Sequence, residues 1–249
     1  MRIGGIIDIS TKDIPSRSSM VIFTAGCNFN CKFCHNKYLL QPNVGREFSI
    51  AELIDKINTN SLVSGVSITG GEPTIQNDLL DLCKEIQKFT DKYLSIDTNG
   101  SNPKLLKKLV PYINRVALDL KGPIIPEKYE KIIGVQINIE TIIDTIELLN
   151  NQENLDFEIR TTYEENLLSS RDLQKIIESL EDLGFKSNFV LQQCQYREGV
   201  DEKFKEIFLK PEHETLINLL RPYQGLILPF NIFLRDEVVG YCKIEDLFN

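Results

Sequence analysis

Short apolar runs alternate with amphipathic segments through most of the chain. Met20–Thr24 is β-branched and aromatic and reads as a strand closed by Ala25-Gly26. Val66–Thr69, Tyr93–Asp97, Val116–Leu120, Phe157–Thr161 and Phe189–Gln193 read the same way. Helical patterns fill the intervals. Ser49-Ile50-Ala51-Glu52 is a capping box, in which serine and glutamate satisfy each other's backbone N–H groups ahead of a helix over Ala51–Ile57. Asn77 or Asp78 caps a helix through Phe89 with Leu79, Leu82, Cys83 and Ile86 on one face. Pro103–Val110, Ile139–Leu149 and Leu173–Leu183 continue the series.

Six strand–helix alternations imply βαβ units with right-handed crossovers and a mostly parallel sheet, either partly closed into a barrel or open. In both forms the chemistry belongs at the C-terminal ends of the strands. The unusual residues sit there: cysteines after the first strand, Gly70-Gly71-Glu72 after the second, Asp97-Thr98-Asn99 after the third, and Asp119 and Lys121 after the fourth. Beyond residue 210 the pattern changes. Pro211–Leu220 reads as a helix, and Gly225–Leu234 with Val238–Lys243 as a hairpin around Asp236-Glu237. The expected organisation is a domain over 1–210 and a C-terminal extension over 211–249.

Composition narrows the function classes. The 249 residues are 42% hydrophobic and 26% charged, enough to bury a sizeable core. A net charge of −8 argues against a broad electrostatic footprint for nucleic acid or anionic lipid. No apolar run reaches the roughly 20 residues of a membrane span, and Met1–Ser10 lacks the order of a signal peptide. The expected compartment is the cytoplasm, where thiols stay reduced. Cys83, Cys194 and Cys242 are scattered and read as small buried hydrophobes.

Cys27, Cys31 and Cys34 are different, because the spacing Cys-x3-Cys-x2-Cys puts three thiolates in one eight-residue loop. Three soft ligands in a reduced compartment mean an iron–sulfur cluster or zinc. A closed zinc site needs a fourth protein ligand. His35 adjoins Cys34 and would be strained as a chelate to the same ion, and His213 is distant in sequence. A four-iron cluster on three cysteines instead leaves one iron open for a substrate or cofactor.

With Phe33 before the last cysteine, this loop resembles the signature of the radical S-adenosylmethionine (SAM) superfamily. The string from Phe23 to Asn36 is closer to the branch of glycyl-radical-enzyme activating proteins, within it to those that activate anaerobic (class III) ribonucleotide reductase. The resemblance runs from about Gly4 to Gln193. It implies an α/β fold, a partial (β/α)6 TIM-like barrel, with a [4Fe–4S] cluster on Cys27, Cys31 and Cys34 and SAM on the open iron.

The resemblance also supplies cofactor-binding candidates. Phe33 and His35 flank Cys34, and Gly70, Gly71 and Glu72 match a Gly-Gly-Glu-Pro motif that holds the SAM amino group. Two glycines let backbone approach a ligand, and a strand-end carbonyl or carboxylate accepts from an ammonium. Asp97, Thr98 and Asn99 resemble an Asp-Thr-Asn-Gly stretch, Asp119 and Lys121 an Asp-x-Lys motif, and Arg160 an Arg-Thr-Thr strand end. Gln192 and Gln193 lie where the family holds adenosine. One departure stands out: related sequences often read Asp-Tyr-Pro-Gly before the cysteines, where this chain has Asp13-Ile14-Pro15-Ser16. The implied partners are a glycyl radical enzyme as protein substrate and a flavodoxin or ferredoxin as electron donor. The alternatives are a radical SAM enzyme acting on a small molecule, such as a 7-deazapurine synthase-like reaction, or on RNA. Outside enzymes stand a zinc-binding interaction module, which would be colourless where an iron–sulfur protein is brown, and an electron carrier, which leaves Gly70-Gly71-Glu72 and the six βα units unexplained.

Overall fold

A computed structural model describes residues 1–34, 36–196 and 202–248. In chain order the elements are β1 (Arg2–Ile14), β2 (Arg17–Thr24), β3 (Arg46–Glu47), α1 (Ile50–Thr59), β4 (Gly65–Gly70), α2 (Leu79–Phe89), β5 (Tyr93–Thr98), α3 (Pro103–Leu109), β6 (Arg115–Asp119), α4 (Pro126–Ile133), α5 (Glu140–Asn150), β7 (Asp156–Tyr163), α6 (Ser170–Asp182), β8 (Asn188–Gln193), α7 (Glu202–Ile207), α8 (His213–Leu220), β9 (Asn231–Asp236), β10 (Gly240–Lys243) and α9 (Ile244–Leu247). They group into two compact units. The first comprises Met1–Asn30, Asn36–Leu118 and Glu140–Phe157; the second takes the cysteine segment from Cys31, then Asp119–Ile139, then the chain from Glu158 onward.

In the first unit β2, β4, β5 and β6 run parallel, with Ile22 opposite Ile68, Ile68 opposite Ile96 and Ile96 opposite Val116. A row of apolar side chains at one level of a parallel sheet is what crossover helices on its faces require. α1 buries Leu53 and Ile57, and α2 buries Leu79, Leu82, Cys83 and Ile86. Each such side chain contributes about 1.5–3 kcal/mol on leaving water. The capping box expected at Ser49 and Glu52 is formed in both directions. α2 begins at Leu79, and its N-cap Asp78 makes no capping hydrogen bond; the carboxylate faces the N-terminal ammonium of Met1 at 3.1 Å.

The sequence pattern starts the sheet at residue 20 and gives no sign of β1. Ile7 and Ile9 of that strand are 45% and 47% exposed, so β1 has no clean buried face to announce it. Its order comes from antiparallel pairing with β2, through bulges after Ile3, Ile7 and Ser10.

In the second unit β7, β8 and β9 are parallel, with Thr162 opposite Gln192 and Gln192 opposite Arg235. β10 returns antiparallel to β9. The expected C-terminal hairpin is therefore present, shortened to β9–β10, and its first strand continues the sheet of β8. α6 starts in a second capping box, Ser169 with Asp172, and buries Leu173, Ile176, Ile177 and Leu180. Cys83 and Cys194 are buried as expected of small hydrophobes. Cys242 is not: it lies on β10, which ends the strand order and leaves it half-buried.

Candidate active site

In the first unit the chemistry gathers at the carboxyl ends of β2, β4 and β5. The end of β2 is braced by Gly26 N–H donating to Leu39 O at 2.8 Å and Cys27 N–H to Leu40 O at 3.3 Å. Beside it, Gly71 N–H donates to Thr24 O at 2.9 Å and Glu72 N–H to Gly26 O at 2.8 Å. This closeness explains the glycines. Gly70 has φ +121°, and a Cβ on Gly71 would lie 1.9 Å from Gly26 O. The close approach visible here is of backbone to backbone, between the ends of β2 and β4.

Glu72 is fully buried. Its Oε1 accepts from Thr74 N–H at 3.0 Å, Thr74 Oγ1 at 2.6 Å and Thr98 Oγ1 at 2.7 Å, and its Oε2 from Asn99 N–H at 2.7 Å. Burial pushes this carboxyl above its ordinary range, against four hydrogen bonds that favour the anion. With three donors on Oε1 and one on Oε2, the carboxylate joins the turn after β4 to the turn after β5.

That second turn has Gly100 at φ +77°. Its Asn99 reaches the cysteine loop: Asn99 Nδ2 donates to Asn28 Oδ1 at 2.9 Å, and Asn28 Nδ2 donates to Ser101 Oγ at 2.7 Å. Asp97 lies 3.8 Å from the guanidinium of buried Arg115, which also donates to Ser95 Oγ at 2.8 Å. Phe29 N–H points at Cys27 Sγ, 3.4 Å away.

The second unit holds Cys31, Phe33, Cys34, Asp119, Lys121 and Arg160. Lys32 N–H donates to Ile132 O at 3.1 Å, which pins the cysteine segment to the end of α4, and Cys34 N–H donates to Cys31 O at 3.1 Å. Cys31 and Phe33 are buried and Cys34 is half-buried. Asp119 bridges two cations: Lys121 Nζ at 2.9 Å on Oδ2, and Arg160 Nη2 at 2.8 Å with Nε at 2.9 Å on Oδ1. Burial opposes the charge on Asp119, but the Arg160 and Lys121 charges prevail and hold it well below the usual carboxylate range. Lys121 is likewise penalised by burial yet raised above the usual lysine range by Asp119. Its ammonium lies 6.0 Å from the centre of the Phe33 ring. Burial also raises the Cys31 thiol, with Lys121 pulling the other way.

The structure thus brings Gly70, Gly71, Glu72, Thr98 and Asn99 together in one unit, and Cys31, Phe33, Asp119, Lys121 and Arg160 in the other. His35 lies outside the described residues. Gln192 and Gln193 point to opposite faces of β8: Gln192 bonds Thr162 Oγ1 and Arg235 at 3.3 Å each, whereas Gln193 donates to Pro211 O at 2.8 Å. Sequence reasoning missed Asn28, Arg115 and Tyr129, the last of which accepts from Lys121 N–H at 3.3 Å. Only the place of Asn28 beside Cys27 could have flagged it. Among the described residues, no three His, Cys, Asp or Glu side chains converge as ligands of one metal ion.

Parallel strands whose carboxyl ends carry a three-cysteine loop, a Gly-Gly-Glu turn and an Asp-x-Lys strand end define a class of SAM-dependent iron–sulfur enzymes. The model of the radical SAM superfamily matches residues 21–183, and the chain belongs to that superfamily. A Methanocaldococcus jannaschii protein, provisionally named a glycyl-radical enzyme activating enzyme, is 30% identical over 218 residues, covering 85% of this chain and 88% of the relative. A Thermococcus kodakarensis protein, provisionally named GTP 3′,8-cyclase, is 33% identical over 53% of this chain and 43% of its own length. Streptococcus suis SuiB, solved bound to S-adenosylmethionine, superposes with a TM-score of 0.64 at 17% identity, covering 87% of this chain. The chain spans about half the length of SuiB, 50%. These likenesses establish the fold class as the α/β partial barrel of radical SAM enzymes. Enzymes of this family use a [4Fe–4S] cluster and SAM. The donor chemistry is compatible with that group: Cys27, Cys31 and Cys34 form no disulfide, and three thiols are what a cluster with one open iron takes.

Proposed function

We propose that this radical SAM enzyme installs a glycyl radical on a partner protein, an anaerobic ribonucleotide reductase being the first candidate. The observation that carries the reading is the 30% identity to the M. jannaschii relative over nearly the whole of both chains. The cyclase relative would carry a small-molecule reading, but its match covers 43% of its own length, against 88% for the M. jannaschii relative.

Cys27, Cys31 and Cys34 would hold the cluster. Bound there, the cluster and SAM would supply the one-electron reductive cleavage and hydrogen-atom abstraction that the reading requires. The chain's own residues bind and orient. Lys121 offsets part of the burial that raises the Cys31 thiol, and Asp119 keeps that ammonium and Arg160 in fixed positions. Phe33, buried next to Cys34 in sequence, is the ring that would pack on the adenine. With the Glu72 carboxylate engaged by protein donors, a backbone carbonyl of the Gly70–Glu72 turn is the acceptor left for the SAM ammonium. Asp97, Thr98 and Asn99 shape the neighbouring wall. A flavodoxin or ferredoxin is the natural donor of the electron.

The test mixes reconstituted protein, SAM and a flavodoxin reducing system with purified class III ribonucleotide reductase from the same genome. The expected result is a glycyl-radical signal on the reductase by electron paramagnetic resonance, matched mole for mole by 5′-deoxyadenosine. SAM cleavage that is the same with and without the reductase, and no radical on it, would overturn the reading in favour of another substrate.

A further inference from the structure

We infer that Asn28 is a positioning residue that ties the cysteine loop to the SAM-contacting strand ends through one hydrogen-bonded relay, Asn28–Asn99–Glu72. The relay lies within the first unit. Asn28 immediately follows Cys27, and its amide is held at both ends, Oδ1 by Asn99 Nδ2 at 2.9 Å and Nδ2 by Ser101 Oγ at 2.7 Å. Asn99 closes its own turn, accepting Ser101 N–H on Oδ1 at 3.0 Å, and passes its backbone N–H to Glu72 Oε2 at 2.7 Å. Glu72 gathers Thr98 and Thr74 on its other oxygen, and its own N–H returns to Gly26 O at 2.8 Å, one residue before Cys27. The hydrogen bonds therefore form a closed circuit: Gly26, Glu72, Asn99, Asn28 and back along the chain through Cys27.

A circuit behaves differently from a chain of contacts. Movement of the turn after β5 is passed to both sides of Cys27 at once, by Glu72 on the Gly26 side and by Asn28 on the other. An asparagine suits the outer link because its amide both donates and accepts at fixed angles. Glu72 suits the inner one because a buried carboxylate takes several donors, each bond being charge-assisted. Asn28 itself is exposed, so little of the core depends on it. Its two short bonds do not serve packing, and their effect is to fix the loop that carries the first cluster ligand.

The inference rests on the reading that the turns after β4 and β5 contact SAM. The test is SAM affinity of the reconstituted holoenzyme by calorimetry, with iron and sulfide content, thermal midpoint and the electron paramagnetic resonance spectrum of the reduced cluster measured on the same samples. For Asn28→Ala the expected result is unchanged iron, sulfide and thermal midpoint. The SAM dissociation constant rises about tenfold because the freed loop must be ordered on binding, and SAM changes the cluster spectrum less than in wild type. Asn28→Asp keeps an acceptor for Asn99 and can take a hydrogen bond from the Ser101 hydroxyl, so it restores much of both. Ser101→Ala removes one link without touching the cysteine loop and shifts SAM affinity in the same direction by a smaller factor.

Wild-type SAM affinity and spectral response in both Asn28→Ala and Ser101→Ala would overturn the relay, as would loss of iron from Asn28→Ala with SAM affinity of Ser101→Ala unchanged. Asn99→Ala separates the two layers of the idea. Loss of SAM binding there, with Asn28→Ala like wild type, removes the relay and keeps the site; wild-type binding in Asn99→Ala removes the site reading as well.

Discussion

Glu164 illustrates how much a single side chain can set. It is 1% exposed, its Oε1 accepts from Leu209 N–H at 2.7 Å and Asn166 N–H at 3.2 Å, and its Oε2 is buried without a hydrogen bond. Burial, followed by the charge of Glu165, raises its carboxyl above the ordinary value. The folded state therefore holds this proton more tightly than the unfolded chain, and stability falls as pH rises from the unfolded carboxyl value through the elevated one. Glu164→Gln keeps Oε1 and removes the titration. Urea unfolding of both proteins from about pH 4.5 to 7 should show a decline for wild type that is shallower in the variant. Parallel curves would contradict the assignment. None of this was legible in the sequence, where Glu164 is one acid in a charged stretch. The three clustered cysteines stand out in the sequence by their spacing, and Asp119, Lys121 and Arg160 by motifs at expected strand ends; β6 does end at Asp119, Lys121 follows two residues later, and Arg160 lies inside β7. Their mutual contact was not legible, since residues far apart in sequence meet only through packing.

At the scale of elements, periodicity carried the reading wherever one face of an element is buried. α1, α2 and α6 and the parallel strands were placed within a few residues, and both capping boxes formed, although only the one at Ser49 was read from the sequence. β1 failed that test because Ile7 and Ile9 are half-exposed and its bulges break alternation. Its turn into β2 carries a conflict of its own. Ser16 has φ +61°, the one non-glycine residue with positive φ among those described, at the position where related sequences place glycine. A left-handed conformation costs an L-residue about 1 kcal/mol relative to glycine. Ser16→Gly should therefore stabilise the protein by roughly 0.5–1 kcal/mol, read as a higher urea midpoint at unchanged slope. A lower midpoint would show that the serine side chain contributes more than the backbone strain costs.

For the whole molecule, family membership defines the chemistry. The first unit contains Cys27 and the turns after β4 and β5, and the second contains Cys31, Cys34 and the Asp119 cation pair. The net charge of −8 is compatible with a protein partner. What the sequence could not reach was the substrate, because specificity depends on surfaces that carry no motif. The central claim concerns what precedes substrate: that three cysteines turn this fold into a SAM-cleaving enzyme. The most direct test is anaerobic reconstitution with iron and sulfide, then incubation with SAM and dithionite, with 5′-deoxyadenosine and methionine quantified for wild type and Cys31→Ala. Equal amounts of both products from wild type and none above background from Cys31→Ala are predicted. A wild-type protein that assembles its cluster, binds SAM and forms no 5′-deoxyadenosine would contradict the account, as would a Cys31→Ala variant that forms as much as wild type.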